Sequence, residues 1–139
     1  MQSPEKLARR WFGEIWNEGR IEVIDELMAP SCVIHDPVIS AGEVKDSKQF
    51  RALAEAFRQA MPDIHVEIVA SIVEGEEVVI RCEVTGTHTG EGLGVRPTNR
   101  RIRIGGMAWG RWRDGKLLEG WNNFDVLSLY EQIGVFKRP

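Results

Sequence analysis

The stretch RRIRIGGMAWGRWRDGKLLEGWNNFD, residues 100–125, decides the fold. Alternate residues of a β-strand face opposite sides, so Gly106, Ala108 and Gly110 fall on one face and Met107, Trp109 and Arg111 on the other. Asp114-Gly115 is a strong signal for a tight hairpin turn, and Lys116 to Asn123 forms the returning strand. The small residues leave one strand face nearly bare, and a bare face inside a small domain is where a cavity can open. The run Gly120-Trp121-Asn122-Asn123-Phe124-Asp125 carries amide side chains to the same place, which predicts a ligand pocket with a polar floor.

Upstream of this hairpin the pattern is also of period two. His65–Val73 and Glu77–Thr87 read as strands joined by the turn Glu74-Gly75-Glu76, and Arg100 opens the next strand. The first sixty residues read differently. Ser3 caps a helix running to Asn17, with Pro4 at its first position and Leu7, Trp11 and Ile15 at four-residue spacing. A short helix from Ile21 to Met28 is stopped by Pro30, Cys32–Pro37 is a short strand, and Asp46 caps a helix reaching about Met61 with Phe50, Leu53, Ala54 and Phe57 as its apolar stripe. Asp125 caps a last helix, Val126–Ile133, closed by Gly134. Helices first and a meander of strands after is the order of an α+β domain, here a single domain over residues 1–139. A curved, mostly antiparallel sheet holding the N-terminal helices in its concave face encloses a cone with room for a small ligand.

Composition narrows the function classes. Hydrophobic residues at 42% and charged residues at 28% are ordinary for a globular protein, and a net charge of −3 with scattered basic residues argues against a nucleic-acid surface. No run approaches the roughly 18 apolar residues that span a bilayer, and the N-terminus lacks the apolar core of a signal peptide, so a cytoplasmic location is expected. The two cysteines, Cys32 and Cys82, sit in apolar strands and read as buried free thiols; the three histidines, His35, His65 and His88, have no metal-ligand spacing. Neither a metal nor a cofactor is expected. Gly90-Glu91-Gly92-Leu93-Gly94 is no dinucleotide fingerprint, because a strand and not a helix follows it.

Three stretches, WFGEIWNEGRIEVIDELMAPSCVIHDP, VTGTHTGEGLGVRPTNRRIRIGG and RDGKLLEGWNNFDVLSLYEQIGV, together resemble the SnoaL-like polyketide cyclase family, also called ester cyclases, of the nuclear-transport-factor-2-like superfamily. The resemblance implies the α+β cone and a homodimer packed through the outer sheet face, to which Met107, Trp109, Arg111 and Trp121 would point. It also implies cofactor-free ring closure by intramolecular aldol condensation, driven by a strand aspartate with a helping histidine. Matching the DGK turns puts that aspartate on Asn122 and that histidine on Ala108. An amide is no base and a methyl group no donor, so the chain departs from the cyclase pattern at both places. CVIHDPVI is similar to the strand holding the aspartate base of the ketosteroid isomerases, and the match falls on Asp36. Their oxyanion-donating tyrosine corresponds to Phe12, which has no hydroxyl.

The candidate catalytic residues are therefore Asp36, His35 and Asn122, and the candidate substrate-binding residues are Trp16, Phe12, His88, Ala108 and Phe124. Each has a plainer alternative. Asp36 precedes Pro37 and would suit a turn; His35 must face opposite to Asp36 in a regular strand. His88 opens a Gly-rich loop whose backbone it could bind, Asn122 could be a satisfied core amide, and Asp125 is a helix cap before it is a catalyst. Two functions from different classes follow. One is proton-transfer catalysis of cyclase or isomerase type on a small hydrophobic carbonyl compound, with Asp36 or His35 as base and Asn122 on the carbonyl. The other is a binding module that holds such a molecule without turning it over, and a purely structural role through the sheet face is a third.

Overall fold

Ser3 starts the first helix as the sequence predicts: its Oγ accepts the Lys6 N–H at 3.2 Å, and α1 runs Pro4–Arg10. The computed structural model describes residues 2–38 and 42–139. The expected single helix to Asn17 is not regular. Trp11–Asn17 is a π-helix, ending with the Glu18 N–H donated to Gly13 O at 3.0 Å. This wider turn puts Trp11, Phe12 and Trp16 on one wall of the cavity described below.

The end of the π-helix is tied to the sheet by one side chain. Asn17 Oδ1 accepts the Val66 N–H at 2.7 Å and its Nδ2 donates to Val66 O at 3.0 Å, so the amide imitates a residue of a neighbouring strand. Asn17→Ala leaves both backbone groups without that partner and is expected to cost about 1–3 kcal/mol, read as a lower melting temperature. An unchanged melt would show that the clamp carries no stability.

Among the described residues three further helices and six strands complete the order: α2 Val23–Leu27, β1 Met28–His35, β2 Glu43–Val44, α3 Ser47–Ala60, β3 His65–Glu74, β4 Glu77–Thr87, β5 Arg101–Arg113, β6 Lys116–Phe124 and a final helix α4 Val126–Gln132. Pro30 does not stop a helix. It lies exposed inside β1, where the register with β6 breaks between Met28 and Val33, a place where a missing N–H is tolerated. Asp46 caps α3 by accepting the Gln49 N–H at 2.7 Å, and Asp125 caps α4 by accepting the Ser128 N–H at 3.0 Å.

The strands make one curved, open sheet in the order β2-β1-β6-β5-β4-β3. Every pairing is antiparallel except β1 with β6, which is parallel. The β5–β6 hairpin turns at Asp114 and Gly115, both with positive φ (52° and 80°), the conformation that the Asp-Gly pair favours. The concave face carries the core, with Ile15, Ile24, Leu27, Phe50, Ile80, Ile102 and Leu129 all under 2% exposed. The convex face carries a row in register across all six strands, Ile72–Val79–Trp109–Trp121–His35–Glu43. No helix among the described residues is long and apolar enough to cross a membrane.

Candidate functional site

A cavity of about 90 Å³, partly open to solvent, lies between α3, the π-helix and the sheet. Its wall is aromatic, from Trp11, Phe12, Trp16, Phe50, Phe57 and Phe124, with aliphatic residues including Ile102 and Ile104 beneath. Among the described residues, only Asp36 and Asn122 bring a carboxylate or an amide to it. They meet because β1 and β6 are parallel neighbours: His35 pairs with Trp121, so the next residue on each strand is Asp36 and Asn122.

Asn122 Nδ2 donates to Asp36 Oδ2 at 3.4 Å across 86 residues of sequence. The other carboxylate oxygen, Oδ1, accepts the Val38 N–H at 3.1 Å, and the Asp36 N–H donates to Gly42 O at 3.0 Å, so the turn after β1 fixes the side chain. Burial holds the Asp36 carboxyl above the usual aspartate range, and the hydrogen bonds from Val38 and Asn122 only partly oppose it. A carboxylate poised in this way, with one amide beside it in an apolar cavity, can remove a proton from an acidic carbon.

The other sequence candidates separate. Trp16, Phe12 and Phe124 line the cavity with Asp36 and Asn122. His35 does not: strand alternation turns it to the convex face, where Nε2 lies 2.7 Å from Glu119 Oε2 and the ring stacks on Trp121 at 5.6 Å. His88 is completely buried outside the cavity, its Nδ1 3.0 Å from Thr98 Oγ1 and accepting the Thr98 N–H at 3.3 Å. Both contacts tie the ring to the loop between β4 and β5.

Ala108 lines a second, smaller cavity of about 30 Å³, which shares Trp11, Phe12 and Asn122 with the first. The bare strand face is thus not the floor of the main cavity. A Cβ built on Gly106 would stand 2.3 Å from Phe124 Cδ1, and one on Gly110 2.8 Å from Trp112 Nε1, because these rings cover the glycines. The sequence reading placed Phe50 and Phe57 on an apolar stripe without assigning them to the ligand wall. Their seven-residue spacing puts both on one helix face, which core packing alone would also give.

Burial pushes the Cys32 thiol up to about 12 and that of Cys82 to about 11, so neither is an activated nucleophile. Among the described residues no group of three His, Cys, Asp or Glu side chains could hold a metal.

Helices held in the concave face of a curved, mostly antiparallel sheet, around an apolar cavity, define a small α+β domain. The chain matches the model of the SnoaL-like polyketide cyclase family over residues 6–133 and belongs to that family. Solved structures agree. AclR of Streptomyces galilaeus, named as a candidate hydroxylase, is 27% identical with a TM-score of 0.83, covering 97% of this chain and 87% of its own. IdmH of Streptomyces antibioticus, named as a candidate polyketide cyclase, is 28% identical with a TM-score of 0.82, covering 96% and 100%. A candidate polyketide cyclase from Acidithiobacillus ferrooxidans is 26% identical with a TM-score of 0.83, covering 95% and 94%. Comparison with curated proteins gives no match.

Proposed function

We propose that the protein catalyses proton transfer, of cyclase or isomerase type and without a cofactor, on a hydrophobic carbonyl compound. The observation that carries this reading is the Asp36–Asn122 pair in an otherwise apolar cavity, with Asp36 raised by burial. The Asp36 carboxylate takes a proton from the carbon next to the substrate carbonyl. The C–H electron pair becomes the enolate double bond, and the carbonyl pair moves to oxygen. Asn122 Nδ2 carries two protons; one faces Asp36 Oδ2 and the other, without a partner among the described residues, would serve the enolate oxygen. In an aldol closure the enolate carbon then bonds to a second carbonyl carbon, and the new alkoxide takes the proton back from Asp36.

One observation favours a second reading, a module that binds without turnover: Asn122 and Ala108 stand where the cyclases have their aspartate and histidine. Deuterium exchange separates the two. With 2-tetralone in D2O, followed by NMR, the enzyme reading expects protein-dependent exchange at the α carbon. Binding of the ketone with no exchange above buffer would leave the binding module.

The same reading includes a homodimer through the convex face. In support, Met107 and Trp109 are 51% and 46% exposed there, and Trp109 and Trp121 meet at 5.5 Å. Glu119 is held between Arg111 (3.1 Å) and His35 (2.7 Å), a polar flank to the aromatic row. Light scattering is expected to give twice the 15.8 kDa chain mass and to fall to the single mass in Trp109→Glu. A monomeric wild type would overturn the dimer.

A further inference from the structure

We propose that the Gly106–Phe124 pair sets the size of the ligand the cavity accepts, with Phe124 as a specificity-determining side chain and Gly106 as the residue that lets its ring lie back against the sheet. The inference rests on the reading of the main cavity as the ligand site.

Gly106 and Phe124 are cross-strand partners on β5 and β6. A Cβ at residue 106 would stand 2.3 Å from Phe124 Cδ1 and 2.6 Å from Cγ, so the ring occupies the space that a side chain at 106 would fill. That ring also lines the main cavity. Phe124 lies two residues beyond Asn122 on the same face of β6, so a ligand whose carbonyl meets the polar pair runs directly past the ring. The strand has little freedom to withdraw. The Asp125 N–H donates to Gly105 O at 3.0 Å, pinning β6 to β5 immediately after Phe124, and α4 begins at the next residue.

A side chain at 106 therefore drives the phenyl ring towards the ligand space. In a cavity of about 90 Å³ one displaced ring closes much of the room. Removing the ring does the opposite and opens the cavity towards Val126 and Leu129 of α4. The ligand admitted by the wild type is thus bounded along β6 by Phe124, and longer fused-ring carbonyl compounds are turned away there.

The same Cβ would stand 2.8 Å from Phe124 Cα, so Gly106→Ala also strains the strand pair, and the double variant separates the two effects. The probes are acetophenone, 2-acetylnaphthalene and 2-acetylanthracene, methyl ketones of one, two and three rings. Dissociation constants are read by native mass spectrometry on wild type, Phe124→Ala, Gly106→Ala and the double variant.

Phe124→Ala is expected to shift preference from the one-ring to the three-ring ketone by at least about tenfold relative to wild type. Gly106→Ala is expected to weaken the two-ring ketone by about tenfold, and the double variant to recover most of that loss. An unchanged size preference in Phe124→Ala overturns the inference whether or not Gly106→Ala folds, and so does a double variant that binds as poorly as a folded Gly106→Ala. If wild type takes up none of the three ketones, the inference falls together with the ligand cavity. The expected size shift without α-proton exchange upholds it and removes only the catalytic reading.

Discussion

Asp36→Asn is expected to lower α-proton exchange by roughly 10³-fold while the ketone still binds. General-base contributions run about 10²–10⁴-fold, and among the described residues this cavity offers no second carboxylate to take over. The amide keeps the shape of the carboxylate and can still accept the Val38 N–H, so the loss reads chemistry and not collapse of the turn. Retention of exchange in Asp36→Asn would remove Asp36 as the base.

The pH dependence follows from burial. Because burial holds Asp36 above its ordinary value of 3.8, the acid limb of the exchange rate is expected to lie higher than for an exposed aspartate. Stability carries the complementary sign. Below the unfolded carboxylate range both native and unfolded chains are protonated there and Asp36 adds no penalty. As pH rises through the raised native pKa, the buried carboxylate ionises at a cost to the fold. Asp36→Asn is therefore expected to melt above wild type at pH 7–8, with the gap closing as the solution is acidified. A melting difference independent of pH would contradict the buried, ionising carboxylate.

The largest loss of stability is expected from Phe50→Ala. Phe50 is 1% exposed on α3 and touches both indoles of the cavity wall, Trp11 at a centroid distance of 4.8 Å and Trp16 at 6.0 Å. Truncating a buried phenylalanine costs about 3–5 kcal/mol, which for a chain of this size lowers the melting temperature by on the order of 10–20 °C. The loss adds to a cavity already present, so neighbouring side chains gain little by relaxing. A fall of less than about 5 °C would mean that the wall closes over the missing ring.

Local rules carried the reading of the β hairpins and the caps. Period-two runs marked β4 and β5, Asp114-Gly115 marked their turn into β6, and Ser3, Asp46 and Asp125 marked helix starts, because each is settled by neighbours within a few residues. The features that escaped depend on distant partners. The π-helix of Trp11–Asn17 sits in a run of ordinary helical spacing, and β2 has two residues, too few for any pattern.

The site was legible in part for the same reason. Alternation required His35 and Asp36 to face apart, yet which of them faced the cavity was decided by the parallel seating of β1 on β6. Phe50 and Phe57 have the periodicity of core residues whether they pack protein or surround a ligand. The glycine row on β5 marked a face without large side chains; it could not show that Phe124 and Trp112 from elsewhere would cover it.

The parallel pairing of β1 with β6 also bears on when the site can exist. The other strand pairs join neighbours in sequence, whereas this one joins Met28 to Leu117 and His35 to Trp121, and loop-closure entropy makes such a distant contact costly to form first. The hairpins of β3 to β6 can assemble locally while Asp36 and Asn122 are still far apart. The paired site should therefore form only in the last step of folding, and a nascent chain still lacking β6 has Asp36 without the amide that faces it.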